Sequence, residues 1–286
     1  MKSRALALLE VVLVFAFIQI IVLTLRRTGP VQWEFENLGW SYLAMVPFVG
    51  IPALIIWLGR REWADFGISL ANWPTNLDIG IKAFLVRAIP LVLGSGLAGL
   101  LSLPRDVPRR GAILGLFEIL AIVVILWLIR SQKPVGSGRR NVITVGLLLL
   151  IPLIIAVAVG QFGVVIISTV FWQFVFSGFG EELVYRGYFQ SRLNQAFGRP
   201  WHFLGVQFGA GLILASLLFG LLHAFNTYDA AIGLGSLSWG WAISSSMAGL
   251  FFGVLREKTG TLLAPAIAHG LPDALGEPFI QMFGWF

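Results

Sequence analysis

The chain has 286 residues, of which 57% are apolar and 12% charged, with a mean hydropathy of +0.86 and a formal charge of +6. A charged share about half that of soluble domains cannot clothe a water-facing surface, and the absence of cysteine excludes disulfides, thiolate metal sites and a cysteine nucleophile. The cations fall in short clusters between apolar tracts, Arg26-Arg27, Arg60-Arg61, Arg109-Arg110, Arg139-Arg140 and Arg256 with Lys258, which is the pattern of residues meeting lipid headgroups rather than of a nucleic-acid surface.

A spanning helix needs about 20 mostly apolar residues. Taken in chain order, tracts near 5–25, 39–58, 79–102, 112–129, 142–159, 164–185, 203–224, 236–255 and 261–283 predict an all-α, polytopic transmembrane helix bundle of seven to nine spans. The first tract follows Lys2 and Arg4, exceeds the apolar core of a secretory signal and shows no small-residue cleavage site, so it reads as an uncleaved anchor. Glu10 within it lies near the end of the tract and reads as a side chain that reaches the interface or stays neutral there. Residues 63–76, with Trp63, Trp73 and Pro74, read as an interfacial segment, the depth at which aromatic side chains belong.

Residues 131–141 (SQKPVGSGRRN) form the most polar connection. They divide an N-terminal half, 1–141, whose helices carry no recognisable chemistry, from a C-terminal half, 142–286. No repeat of fixed period appears. Gly249 and Gly253 make a GxxxG pair in an apolar tract, which reads as packing between helices of the same chain.

Polar residues that loops cannot explain are concentrated after residue 175. In FVFSGFGEELVYRGYFQSRL, residues four apart nearly superpose on a helix while neighbours diverge by about 100°. Glu182 can therefore pair with Arg186, and Glu181 must face elsewhere. Gly178 and Gly180 upstream suggest a backbone break or close packing. His223 closes the next apolar tract, four residues after Phe219. Gly198, Arg199 and Pro200 mark the turn between these helices, and at 1.5 Å per residue Glu181 and His223 both lie roughly 27–35 Å from it. A carboxylate and an imidazole can then meet across an antiparallel hairpin. His269 and Asp273, in LLAPAIAHGLPDALGEPF, are also spaced to share a face, with Gly270 and Pro272 making a regular helix there uncertain. His202, beside Pro200 and Trp201, reads as interfacial.

With these three groups the sequence resembles the CAAX prenyl endopeptidase and bacteriocin-processing family, known as CPBP or Abi, over about residues 165–280. Glu181-Glu182 with Arg186 matches the motif EExxxR, Phe219 with His223 matches FxxxH, and His269 with Asp273 matches HxxxN/D. The resemblance implies an intramembrane protease in which Glu181 activates a water with help from His223. His269 and Asp273 would stabilise the tetrahedral oxyanion, and Glu182, Arg186 and Phe219 would support the site. Asparagine is the commoner family residue where Asp273 stands, and an ionised aspartate would repel an oxyanion. It must be protonated, or orient His269, or mark lost activity.

Amide hydrolysis needs an activated nucleophile, a proton carrier and a donor to the oxyanion, and one glutamate with two histidines can supply all three without a cofactor. The same set, Glu181, His223 and His269, also resembles a catalytic zinc site, although the HExxH pattern is absent. The expected partners are membrane lipid and a membrane-associated peptide or protein substrate, with no nucleic acid, and the expected location is the cytoplasmic membrane of a prokaryote. Arg192, Arg199, Arg256 and Lys258 mark one side by the positive-inside rule and put Glu181 and His223 toward the opposite face, whereas the prenyl-processing relatives act on cytosolic C-termini. A rhomboid-type serine site lacks its glycine before Ser177, and a presenilin-type pair lacks its GxGD. A proteolytically inactive scaffold of the same fold and a proton-coupled transporter are the alternatives, the latter weakened because no matching polar set is evident before residue 160.

Overall fold

The computed structural model describes residues 2–229 and 231–284, and these are almost wholly helical. The helices are α1 (Lys2–Leu25), α2 (Gly29–Leu38), α3 (Met45–Leu58), α4 (Trp73–Leu100), α5 (Pro108–Ile129), α6 (Arg139–Ala158), α7 (Val164–Trp172), α8 (Ser191–Phe197), α9 (Ala210–Phe225), α10 (Trp239–Thr259) and α11 (Leu263–Phe283). The described residues add only one short hairpin, β1 (Trp201–Phe203) against β2 (Val206–Phe208). Among the described residues, five helices are long and apolar enough to cross a membrane: Arg4–Leu25, α4, α5, α6 and the continuous Val164–Phe197. Side chains such as Ile89, Val92, Trp57 and Ile154 are exposed on the outside of the bundle, which a bilayer tolerates and water does not.

Two expected tracts change shape. Residues 39–58 yield only the 14-residue α3, about 21 Å long and short of a bilayer core of about 30 Å. Residues 203–208 belong to the hairpin, so the next helix begins at Ala210. In the segment read as interfacial, Trp63–Phe66 forms a single 3₁₀ turn, and Trp73 already opens α4.

Between α7 and α8 the helix widens into two π-helical stretches, Gln173–Glu181 and Leu183–Gln190, a form concentrated at functional sites. Gly178 is where this widened helix meets α11. A Cβ there would lie 2.7 Å from the Cα of Gly270, so only glycine permits the approach. Helix α11 runs unbroken through Pro272 and Pro278. Gly249 and Gly253 of α10 face Ser216 and Leu212 of α9 within the chain.

Loop contacts define the two ends of the bundle. At the first, Leu262 N–H donates to Gly67 O (2.9 Å), Asn76 to the Thr261 hydroxyl (3.0 Å) and Val135 N–H to the Thr75 hydroxyl (2.9 Å). At the second, Gly240 N–H donates to Asp106 O (2.8 Å) and Arg26 reaches Asn226 Oδ1 (3.4 Å). The connections at the first end carry Arg60-Arg61, Arg130, Lys133, Arg139-Arg140, Arg199 and Lys258, while those at the second carry only Arg26-Arg27, Arg105, Arg109 and Arg110.

Candidate active site

Glu181, His223, His269 and Asp273 line one cavity of about 260 Å³, together with Ser177, Phe219 and Arg87 among others. The widened helix supplies Ser177 and Glu181, α9 supplies Phe219 and His223, and α11 supplies His269 and Asp273. The chain reverses between α8 and α9 through the hairpin β1–β2, and Glu181 and His223 both line this cavity.

His269 is the most constrained of these groups. Its Nδ1 lies 2.9 Å from Glu182 Oε1, and because an ionised carboxylate only accepts, that nitrogen carries the proton. Its Nε2 stands 3.5 Å from Asp273 Oδ2, 3.8 Å from Glu181 Oε2 and 3.5 Å from Ser177 Oγ. The ring stacks on Phe252 at 4.5 Å between centroids and receives the edge of Phe219 at 5.6 Å. Phe219 and Phe252 are buried, and burial of each contributes about 1.5–3 kcal/mol.

His223 Nδ1 lies 2.9 Å from the carbonyl oxygen of Phe219. A carbonyl can only accept, so Nδ1 carries a proton, and in the neutral ring Nε2 keeps its lone pair. Its ring also meets Trp241 at 5.3 Å. Phe219 therefore fixes both histidines, one through its backbone and one through its ring.

Glu182 and Arg186 pair as their spacing predicts, at 3.0 Å and fully buried. The guanidinium nitrogens find no well-aligned hydrogen-bond acceptor, and the cation instead lies over Phe219 at 4.4 Å and Phe252 at 5.2 Å. The faces of those rings supply the compensating negative potential. Glu181 is held less tightly: its Oε2 forms no hydrogen bond among the described residues and stands 3.8 Å from His269 Nε2.

Asp273 accepts a 2.9 Å hydrogen bond from Ser177 Oγ. It thus acts as an acceptor beside His269 rather than as a donor to an oxyanion. Ser177 was not expected at the site, because it lacks the neighbours of a nucleophilic serine; its signal was its place one helical turn before Glu181. Arg87 was missed as well. Its Nε donates to Glu118 Oε1 at 2.8 Å, both side chains are largely buried, and its guanidinium lies over Phe252 at 4.8 Å. A cation in the tract 79–102 and a carboxylate in the tract 112–129 constitute a polar set before residue 160, legible as two ionisable groups at membrane depth. His202 lies exposed on β1 and is not among the cavity residues. Glu10 is held by Arg61, Tyr188 and Arg192 at 2.9, 2.7 and 2.8 Å, a structural knot outside the cavity.

Among the described residues no three His, Asp or Glu side chains are disposed to hold a metal ion, and Glu181, His223 and His269 are not so disposed. What the arrangement offers is a carboxylate whose Oε2 is free of hydrogen bonds among the described residues, an imidazole whose Nε2 can accept, and a second imidazole clamped between acids.

Residues 163–275 match the family model described as Rce1-like, type II CAAX prenyl endopeptidase. All seven residues singled out in the sequence motifs fall within that segment. No curated protein and no solved structure matches the chain.

Proposed function

We propose that this chain, a member of the CAAX protease family of membrane proteins through residues 163–275, is an intramembrane endopeptidase that hydrolyses a peptide bond with a glutamate-activated water. The observation that carries the reading is the Glu181 carboxylate, whose Oε2 forms no hydrogen bond among the described residues, facing the same cavity as the His223 ring whose Nδ1 is tied to Phe219 O.

Glu181 takes a proton from water as the oxygen attacks the scissile carbonyl, and the same carboxyl returns that proton to the departing amine. His223 Nε2, with its lone pair, orients the water. The developing oxyanion needs an N–H donor in a dry site, and His269 supplies it from Nε2 when both ring nitrogens are protonated, a charge that Glu182 at 2.9 Å balances. Asp273 holds Ser177 and braces His269, so the aspartate costs no donor. Glu182 and Arg186 act only through His269 and the rings around it. No step requires a metal. In this reading α10 and α11, each of 21 residues, pack in the membrane with the five long helices.

The test uses purified protein in detergent and a quenched peptide library, with and without chelator. Glu181→Gln and His223→Ala should each abolish cleavage in protein that still elutes as a folded species, and chelator should leave the wild type unaffected. Cleavage by Glu181→Gln would end this reading, and loss of wild-type cleavage on chelation, restored by added zinc, would replace the metal-free mechanism.

A further inference from the structure

A second cavity adjoins the catalytic one. It measures about 500 Å³, a size that binds ligands, and shares Arg87, Trp241, Ser245, Ala248 and Glu277 with it, so the two lie against each other across these residues. Its inner end is the buried Arg87–Glu118 pair beside Phe252. Its outer end is rimmed by Arg105, Asp106 and Thr227, all exposed. Hydroxyls from Ser95, Ser238 and Ser244 and charges of both signs line it. Leu91, Leu114 and Ile280 supply apolar wall beside them, a combination that can meet both the donors and acceptors of a peptide backbone and its apolar side chains.

The rim lies at the second end of the bundle, where the loop before α5 meets the start of α10 through Gly240 N–H and Asp106 O. That is the cation-poor end. Arginine and lysine in short loops are retained on the cytoplasmic side of a membrane, and acidic residues have little influence on this sorting. The first end, with Arg60-Arg61, Arg139-Arg140 and Lys258, is then cytoplasmic.

We propose that this second cavity is the substrate vestibule and that it opens on the non-cytoplasmic face, so that the substrate is a segment of a membrane-anchored peptide or protein exposed on that side. The identity of the occupant rests on the peptidase reading; the orientation does not. Helices α4 and α5, outside the family-matched segment, build much of the vestibule wall and therefore set which sequences enter. A lipid-modified terminus presented from the cytosol would not reach this opening.

The chain has no cysteine, so single-cysteine variants report sidedness without background. Thr227→Cys and Lys133→Cys, each expressed in a bacterial cytoplasmic membrane, are treated with a membrane-impermeant maleimide before and after lysis. Thr227→Cys should label in intact cells and Lys133→Cys only after lysis; the reverse pattern overturns the orientation whether or not the protein cleaves anything. In Ser244→Cys, full modification by a bulky impermeant reagent should abolish cleavage of a peptide that the unmodified variant cleaves, and undiminished cleavage overturns the vestibule.

Discussion

Arg186 is a cation enclosed at the centre of the protein, and its surroundings explain why it is tolerated there. One carboxylate, at 3.0 Å, and the faces of Phe219 and Phe252 replace its water. Removing one member of such a pair strands the other. Arg186→Met should destabilise the protein by about 3–5 kcal/mol, read as a lowered unfolding temperature in detergent, and the double variant Glu182→Gln with Arg186→Met should lose less than the two single losses combined. Asp273 leads to a different expectation. An asparagine Oδ1 can still accept from Ser177 Oγ, so Asp273→Asn should keep kcat/KM within about tenfold, or about 1.4 kcal/mol, of the wild type. Asp273→Leu, which leaves Ser177 without its acceptor and His269 unbraced, should fall well below that.

The helix 164–197 and α11 approach each other through glycine, and the catalytic geometry depends on that approach. With a Cβ built on Gly178 only 2.7 Å from Gly270 Cα, a larger residue must push the two backbones apart. The 2.9 Å contact between His269 and Glu182 crosses the same interface. Gly178→Val should therefore cost about 1–3 kcal/mol in stability, the usual range for overpacking, and should abolish cleavage. A variant with valine at Gly146, where no heavy atom lies within 4 Å of a built Cβ, serves as the control. If Gly178→Val cleaves normally, the helix spacing does not control the site. The π-helical widening belongs to the same element: it sets Ser177 and Glu181 on the cavity while keeping Glu182 beneath them, against Arg186 and His269.

The core of the whole molecule is shared between its halves. One cluster of buried apolar side chains runs from Val11 and Phe15 of α1 through Ile125 of α5 to Phe251 and Ala268. Helix α1 is also tied by Glu10, which accepts from Arg61, Tyr188 and Arg192. Since hydrogen bonds to a charged group contribute about 1.5–3 kcal/mol each, Glu10→Leu should lower the unfolding temperature measurably. Because this knot stands apart from the cavity, kcat per folded molecule should be unchanged. The buried Arg87–Glu118 pair joins α4 to α5 and brings the N-terminal half against the active site.

Composition and hydropathy determined the membrane class and the helical fold, because a bilayer admits few other solutions for an apolar chain. The spacing of Glu182 with Arg186 and of His269 with Asp273 was legible because both pairs lie on single helices, where four residues return a side chain to the same face. The turn near 198–200 set the antiparallel order of the helices that carry Glu181 and His223 but not their distances from it, because residues 201–208 form a hairpin rather than helix. Tertiary structure decided the remainder: that His269 is clamped by Glu182, that Ser177 donates to Asp273, and that Arg87 and Glu118, remote in sequence, meet beside the cavity. Those contacts join side chains separated by some thirty to ninety positions on different helices, and periodicity within a helix carries no information about which neighbour its polar face will meet.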